Sequence, residues 1–262
     1  MKLAVFNEIG LHYREDGDPN GAPVVFGNSL GTDLRVWDDV VERLPKSLRI
    51  IRYDKRGHGL SSCPKAPYPM GALVRDAEQL LDYLKVRDCV FVGLSIGGMI
   101  AQGLAVKRMD QIRAMVLSNT AAKIAYPALW DERIAAVRAG GVEALADSII
   151  TRWFSEAFCE KPEIALWRAM LVNTPDEGYM GCSAAISGTD FLTTTSGLRL
   201  PTLAIAGTED GSTPPDLVRE TAALIPGSRF ELMRGSGHIP CVENPDEYAA
   251  LLIGFLKDVG HI

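Results

Sequence analysis

The chain has 262 residues, of which 47% are apolar and 23% charged, enough to bury one large core with room for an inserted subdomain. Its formal charge of −6 and the lack of any long Lys/Arg run argue against a nucleic-acid partner, because nothing is available to neutralise phosphates. The five cysteines (Cys63, Cys89, Cys159, Cys182 and Cys241) lack paired spacing and no His/Cys ligand cluster exists, so no disulfide framework, metal or cofactor is expected.

In chain order, strand patterns fall at residues 2–6, 11–15, 23–27, 48–53, 89–93, 112–118, 201–206 and 229–233. Gly10 joins the first two, and Asp16-Gly17-Asp18-Pro19-Asn20-Gly21 turns the second into the third. Helical patterns intervene at 38–44, 70–84, 96–107, 215–224 and 245–259. That alternation predicts an α/β fold, with a mostly parallel eight-stranded sheet flanked by helices and joined by right-handed crossovers. Residues 121–198 break the rhythm, reading instead as amphipathic helices at 127–139, 142–153, 162–173 and 176–186. The expected division is a core of residues 1–120 and 199–262 with a helical cap, 121–198, over the carboxyl ends of the strands. The first residues turn polar too soon for a signal peptide and no apolar run spans a bilayer, so a soluble cytoplasmic protein without a membrane partner is expected. The sequence specifies no oligomeric state.

The most informative segment is Gly93-Leu94-Ser95-Ile96-Gly97, where a buried strand runs directly into a helix. A serine in so tight a turn needs glycines two residues to either side, and it presents its hydroxyl above the sheet edge. The Ile96 N–H then faces the same space at a helix N-terminus, where it can meet a developing oxyanion.

A lone serine needs a base and a group to orient that base. Among the four histidines, His12 lies in an early strand, His261 at the chain end and His58 in a turn, leaving His238 after the last strand as the base. Asp210, in the turn after strand seven, is the preferred acid and Glu209 the alternative. The order Ser95, Asp210, His238 is that of one triad scaffold. The loop Gly27 to Asp33 follows the third strand, and there the Leu30 N–H is the expected second oxyanion donor, while Asn28 and Ser29 cap the turn.

Together, Asn28-Ser29-Leu30-Gly31, Tyr53-Asp54-Lys55-Arg56-Gly57-His58-Gly59, Gly93 to Gly98, Gly207 to Asp210 and Gly237-His238-Ile239-Pro240 resemble the α/β-hydrolase fold family across essentially the whole chain. The resemblance is narrowest to the 3-oxoadipate enol-lactonases of aromatic catabolism, and it extends into Leu117 to Ala121 and Trp130 to Ile134. Asn28 stands where the commoner hydrolase form has histidine, a departure shared with the lactonase-like subgroup. The resemblance implies a catalytic triad of Ser95, Asp210 and His238, oxyanion donors at Leu30 and Ile96, and a small lactone or ester bearing a carboxylate as substrate. That anion needs a cation, for which Arg133 is the candidate and Arg152 the second choice, with Trp130 three residues away on the same helical face. Ser29, Trp153 and Asn119 are the other expected substrate contacts. The competing readings are a broader carboxylesterase and a carbon-carbon bond hydrolase of the same fold.

Overall fold

A computed structural model describes residues 1–262 of the protein. Its strands are β1 (Lys2–Phe6), β2 (Ile9–Gly17), β3 (Pro23–Gly27), β4 (Arg49–Tyr53), β5 (Cys89–Leu94), β6 (Ile112–Ser118), β7 (Thr202–Gly207) and β8 (Arg229–Met233). They form one sheet in the order β1-β2-β4-β3-β5-β6-β7-β8, in which β2 runs antiparallel to both neighbours and the remaining pairs are parallel. Every expected strand is present, with ends displaced by two residues at most. The central β5 and β7 are buried at every position, which is why they read as continuous apolar runs rather than as alternating ones.

Helices α1 (Asp38–Arg43), α2 (Met70–Tyr83) and α3 (Ile96–Lys107) belong to the first half of the chain. Between β6 and β7 lie α4 (Pro127–Gly140), α5 (Ala146–Trp153), α6 (Glu156–Cys159), α7 (Ile164–Val172), α8 (Asp176–Ser187) and α9 (Leu192–Ser196). Three more, α10 (Pro215–Ala223), α11 (Pro240–Glu243) and α12 (Pro245–Asp258), complete the chain. The one-turn α6, α9 and α11 escape periodicity because so few residues carry no 3.6-residue repeat. The helix expected at 142–153 opens with a 3₁₀ turn, Val142–Leu145, after Gly141 at φ 72°. No helix is long and apolar enough to cross a membrane.

One continuous cluster of 70 buried apolar residues runs from the sheet into the inserted helices through Trp130, Val137, Ile149, Trp153 and Phe154. The insert therefore shares its core with the sheet. Register brings the carboxyl ends of the parallel strands to one edge, since Gly27 pairs with Gly93, Leu94 with Ser118 and Gly207 with Met233. Every loop of interest leaves from that edge.

Candidate active site

Ser95 joins β5 to α3 at φ 57° and ψ −121°, a conformation that costs a non-glycine residue about 1–3 kcal/mol. Local bonds hold it there. Its N–H donates to Ser118 O (3.0 Å), and its carbonyl accepts from the Thr120 hydroxyl (2.6 Å) and from Gly98 N–H (2.8 Å). A Cβ on Gly93 would sit 2.4 Å from Gly97 O, and one on Gly97 2.3 Å from Gly27 O, so both positions exclude any side chain.

Asp210 and His238 come from the turns after β7 and β8. Both are buried, and His238 Nδ1 lies 2.9 Å from Asp210 Oδ2; because an ionised carboxylate only accepts, Nδ1 carries the proton. Asp210 is saturated with donors. Oδ1 accepts from the N–H groups of Ser212 (2.7 Å) and Thr213 (3.0 Å), while Oδ2 also accepts from Thr213 Oγ1 (2.7 Å) and Asn119 Nδ2 (2.8 Å). Burial raises its carboxyl, but His238 and these donors outweigh that and hold it below the usual carboxylate range. Glu209, the alternative acid, is exposed to solvent.

Nε2 of His238 lies 3.3 Å from Ser29 Oγ, and Ser29, Ser95 and His238 line one cavity of about 130 Å³. Leu30 lines it too, and neither the Leu30 nor the Ile96 N–H has an acceptor within the protein. No hydrogen bond joins Ser95 Oγ to His238, and Ile96 does not line this cavity; a carboxylate-anchored imidazole sharing it with the Ser29 and Ser95 hydroxyls and the uncommitted Leu30 N–H can move a proton and receive an oxyanion.

The Leu30 loop is braced from beneath. Buried Lys55 donates from Nζ to the carbonyls of Ser29 (2.5 Å) and Thr32 (3.2 Å), and burial lowers its pKa to about 8. His58 Nε2 accepts from Gly31 N–H at 2.9 Å, so its other nitrogen carries the ring proton; burial and then Lys55 push its pKa well below 6.5. Asn28, which donates to Tyr53 O and accepts from Trp37 Nε1, is structural. Lys55 and His58, from the motif around Asp54, thus hold the Leu30 loop in place, in keeping with a loop-packing role for that turn.

Trp130, Arg133, Trp153 and Ser29 all line the cavity, together with Arg152, Tyr179 and Thr213. Asn119 does not. Expected at the substrate, it is fully buried at the end of β6, and its amide donates to Asp210 and to Gly237 O (3.2 Å), so it supports the Asp210 carboxylate instead. Trp167 packs beside Phe154, with ring centroids 6.2 Å apart. A second imidazole–carboxylate pair, His12 Nδ1 and Asp54 Oδ2 at 2.7 Å, was not expected; it borders a cleft of about 520 Å³ whose lining lacks serine and cysteine. No group of three or more His, Cys, Asp or Glu side chains that could hold a metal converges anywhere in the protein.

Known proteins are similar to this chain in sequence and fold. Residues 24–251 match the model of the alpha/beta hydrolase family. The chain is 33% identical to 3-oxoadipate enol-lactonase 2 of Acinetobacter baylyi over 92% of its length and 91% of that protein's. The enol-lactonase structure from Burkholderia xenovorans superposes with a TM-score of 0.94 at 38% identity, covering 98% of this chain and 100% of that one. A malate-bound thermophilic esterase from Thermogutta terrifontis does so with a TM-score of 0.90 at 29% identity, covering 96% and 94%. With a family match over most of its length and relatives above 30% identity across nearly all of it, the chain belongs to the alpha/beta hydrolase family.

Proposed function

We propose that the protein is a serine hydrolase that opens 3-oxoadipate enol-lactone to 3-oxoadipate, with Ser95, His238 and Asp210 as its triad. The observation that carries this reading is the Asp210-anchored His238 in one cavity with Ser95 and the free Leu30 N–H. The enol-lactonase names of two similar proteins support the substrate.

Ser95 Oγ attacks the lactone carbonyl as its proton passes to His238 Nε2, and Asp210 stabilises the imidazolium. The N–H groups of Leu30 and Ile96 receive the oxyanion. When the tetrahedral intermediate collapses, the ring C–O bond breaks and His238 returns the proton to the departing enol oxygen. That enol tautomerises to the ketone. Water, deprotonated by His238, then attacks the acyl-enzyme; the acyl–Oγ bond breaks, Ser95 recovers its proton, and the second carboxylate of the product is left. Arg133, stacked at 4.9 Å on the Trp130 ring, holds the carboxylate that the substrate brings with it. Residues 121–198 act as the cap over this reaction, which belongs to the cytoplasmic β-ketoadipate route of aromatic catabolism.

The test sets hydrolysis of freshly prepared enol-lactone beside that of p-nitrophenyl acetate, with product identity followed directly. Strong preference for the acid-bearing lactone is expected, whereas equal turnover reduces the protein to a broad esterase. A fluorophosphonate should label the protein and fail to label Ser95→Ala; labelling of both overturns the nucleophile.

A further inference from the structure

The cavity beside Ser95 contains two guanidiniums, Arg133 and Arg152, and none of its 16 lining residues is Asp or Glu. Half-buried positive charges without a counter-ion are costly: burial first, and then Arg133, depress the pKa of Arg152. Both guanidiniums act on the buried Tyr179 phenol, pulling back part of the rise that burial imposes on it. Arg152 uses Nε on Ser148 O (3.1 Å) within its own helix, which leaves its terminal nitrogens free. Two adjacent cations facing a space free of protein anions are complementary to a carboxylate.

The backbone around Arg152 carries a second observation. Arg152 O accepts from Gly211 N–H (3.1 Å), the residue after Asp210, and the next carbonyl, Trp153 O, accepts from the N–H groups of His238 (2.7 Å) and Ile239 (3.3 Å). A Cβ on Gly211 would lie 3.1 Å from Arg152 Cα, and one on Gly237 2.5 Å from Trp153 O, so these loops touch the end of α5 directly. Two consecutive carbonyls of the insert therefore hold the acid loop and the base loop at once.

We infer that Arg152 joins Arg133 in clamping the substrate's carboxylate, and that occupation of Arg152 is transmitted through the 152–153 backbone to the loops of Asp210 and His238. The substrate class is thus an ester or lactone with an anionic group remote from its scissile carbonyl, and discrimination for that group is expressed in kcat as well as in KM. This inference rests on the hydrolase reading above.

The test compares enol-lactone with its neutral methyl ester in the full-length wild type, Arg152→Met, which keeps the stem that packs on Gly211, and Arg152→Lys, which restores a charge without the fork. Arg152→Met should lower the charged-to-neutral ratio of kcat/KM about 30-fold, with part of the loss in kcat, and Arg152→Lys should recover some of it. An unchanged ratio overturns the contact; a loss confined to KM overturns the transmission. Calorimetry adds a readout independent of turnover: glutarate should bind Ser95→Ala and bind at least tenfold more weakly after Arg152→Met is added, and equal binding overturns the clamp. If the wild type hydrolyses neither substrate while Ser95→Ala still binds glutarate through Arg152, the hydrolase reading fails and the anion site stands.

Discussion

The turn that carries Ser95 and the loops that carry Asp210 and His238 occupy the same sheet edge but are held in opposite ways. Ser95 is fixed by its own surroundings: Gly93 and Gly97 make room, and Ser118, Thr120 and Gly98 hold its backbone. His238 depends on distant chain. Its N–H reaches Trp153 O, and Gly237 N–H donates to Glu243 Oε1, whose other oxygen accepts from both the N–H and the hydroxyl of Ser155. The placement of Ser95 is thus set by the sheet, whereas the alignment of Asp210 and His238 also depends on the inserted helices. Substitutions in the insert should therefore alter chemistry without touching substrate.

Ser95→Ala is the most severe test of the local half, and it should lower kcat/KM by about 10⁵-fold while the thermal transition survives. Retained hydrolysis would mean that another group attacks. Gly97→Ala should damage the fold itself, because its Cβ meets the Gly27 carbonyl at 2.3 Å; a loss of about 3 kcal/mol is expected from denaturant midpoints. Stability within experimental error of wild type would show that the turn has slack.

The remote half is probed by Asn119→Leu, which takes one donor from Asp210 Oδ2 and leaves the cavity wall intact. About a tenfold fall in kcat at constant KM is expected from losing one hydrogen bond to a charged group. A rise in KM alone would return Asn119 to the substrate. The mildest test concerns pH. His58 is held neutral, its folded pKa lying below the unfolded value of 6.5, so the unfolded state binds the extra proton between those two values. Stability from this source is complete above pH 6.5 and lost as pH falls below it. His58→Gln should flatten the decline in melting temperature between about pH 6.5 and 5, and an unchanged slope would assign the acid sensitivity to other groups.

Much of this was legible in residue order. The strands could be read because burial on both faces leaves continuous apolar runs, and the Ser95 turn could be read because its steric demand falls on glycines two residues away. The positions of Asp210 and His238 followed from strand ends. What stayed hidden were contacts whose partners lie far apart, since neither partner alone marks the other: Ser29 with His238 across 209 residues, and Asn119 with Gly237 across 118.

Residue order alone specified the alternation of strand and helix, the glycine-flanked serine and the positions of Asp210 and His238 after strand ends, because each is set by local sterics and periodicity. Tertiary structure alone decided that Asn119 serves the carboxylate, that Lys55 and His58 brace the Leu30 loop, and that Arg152 meets Arg133 over one cavity. Those outcomes depend on where packing brings distant side chains, and a side chain's chemistry is settled by its neighbours in space.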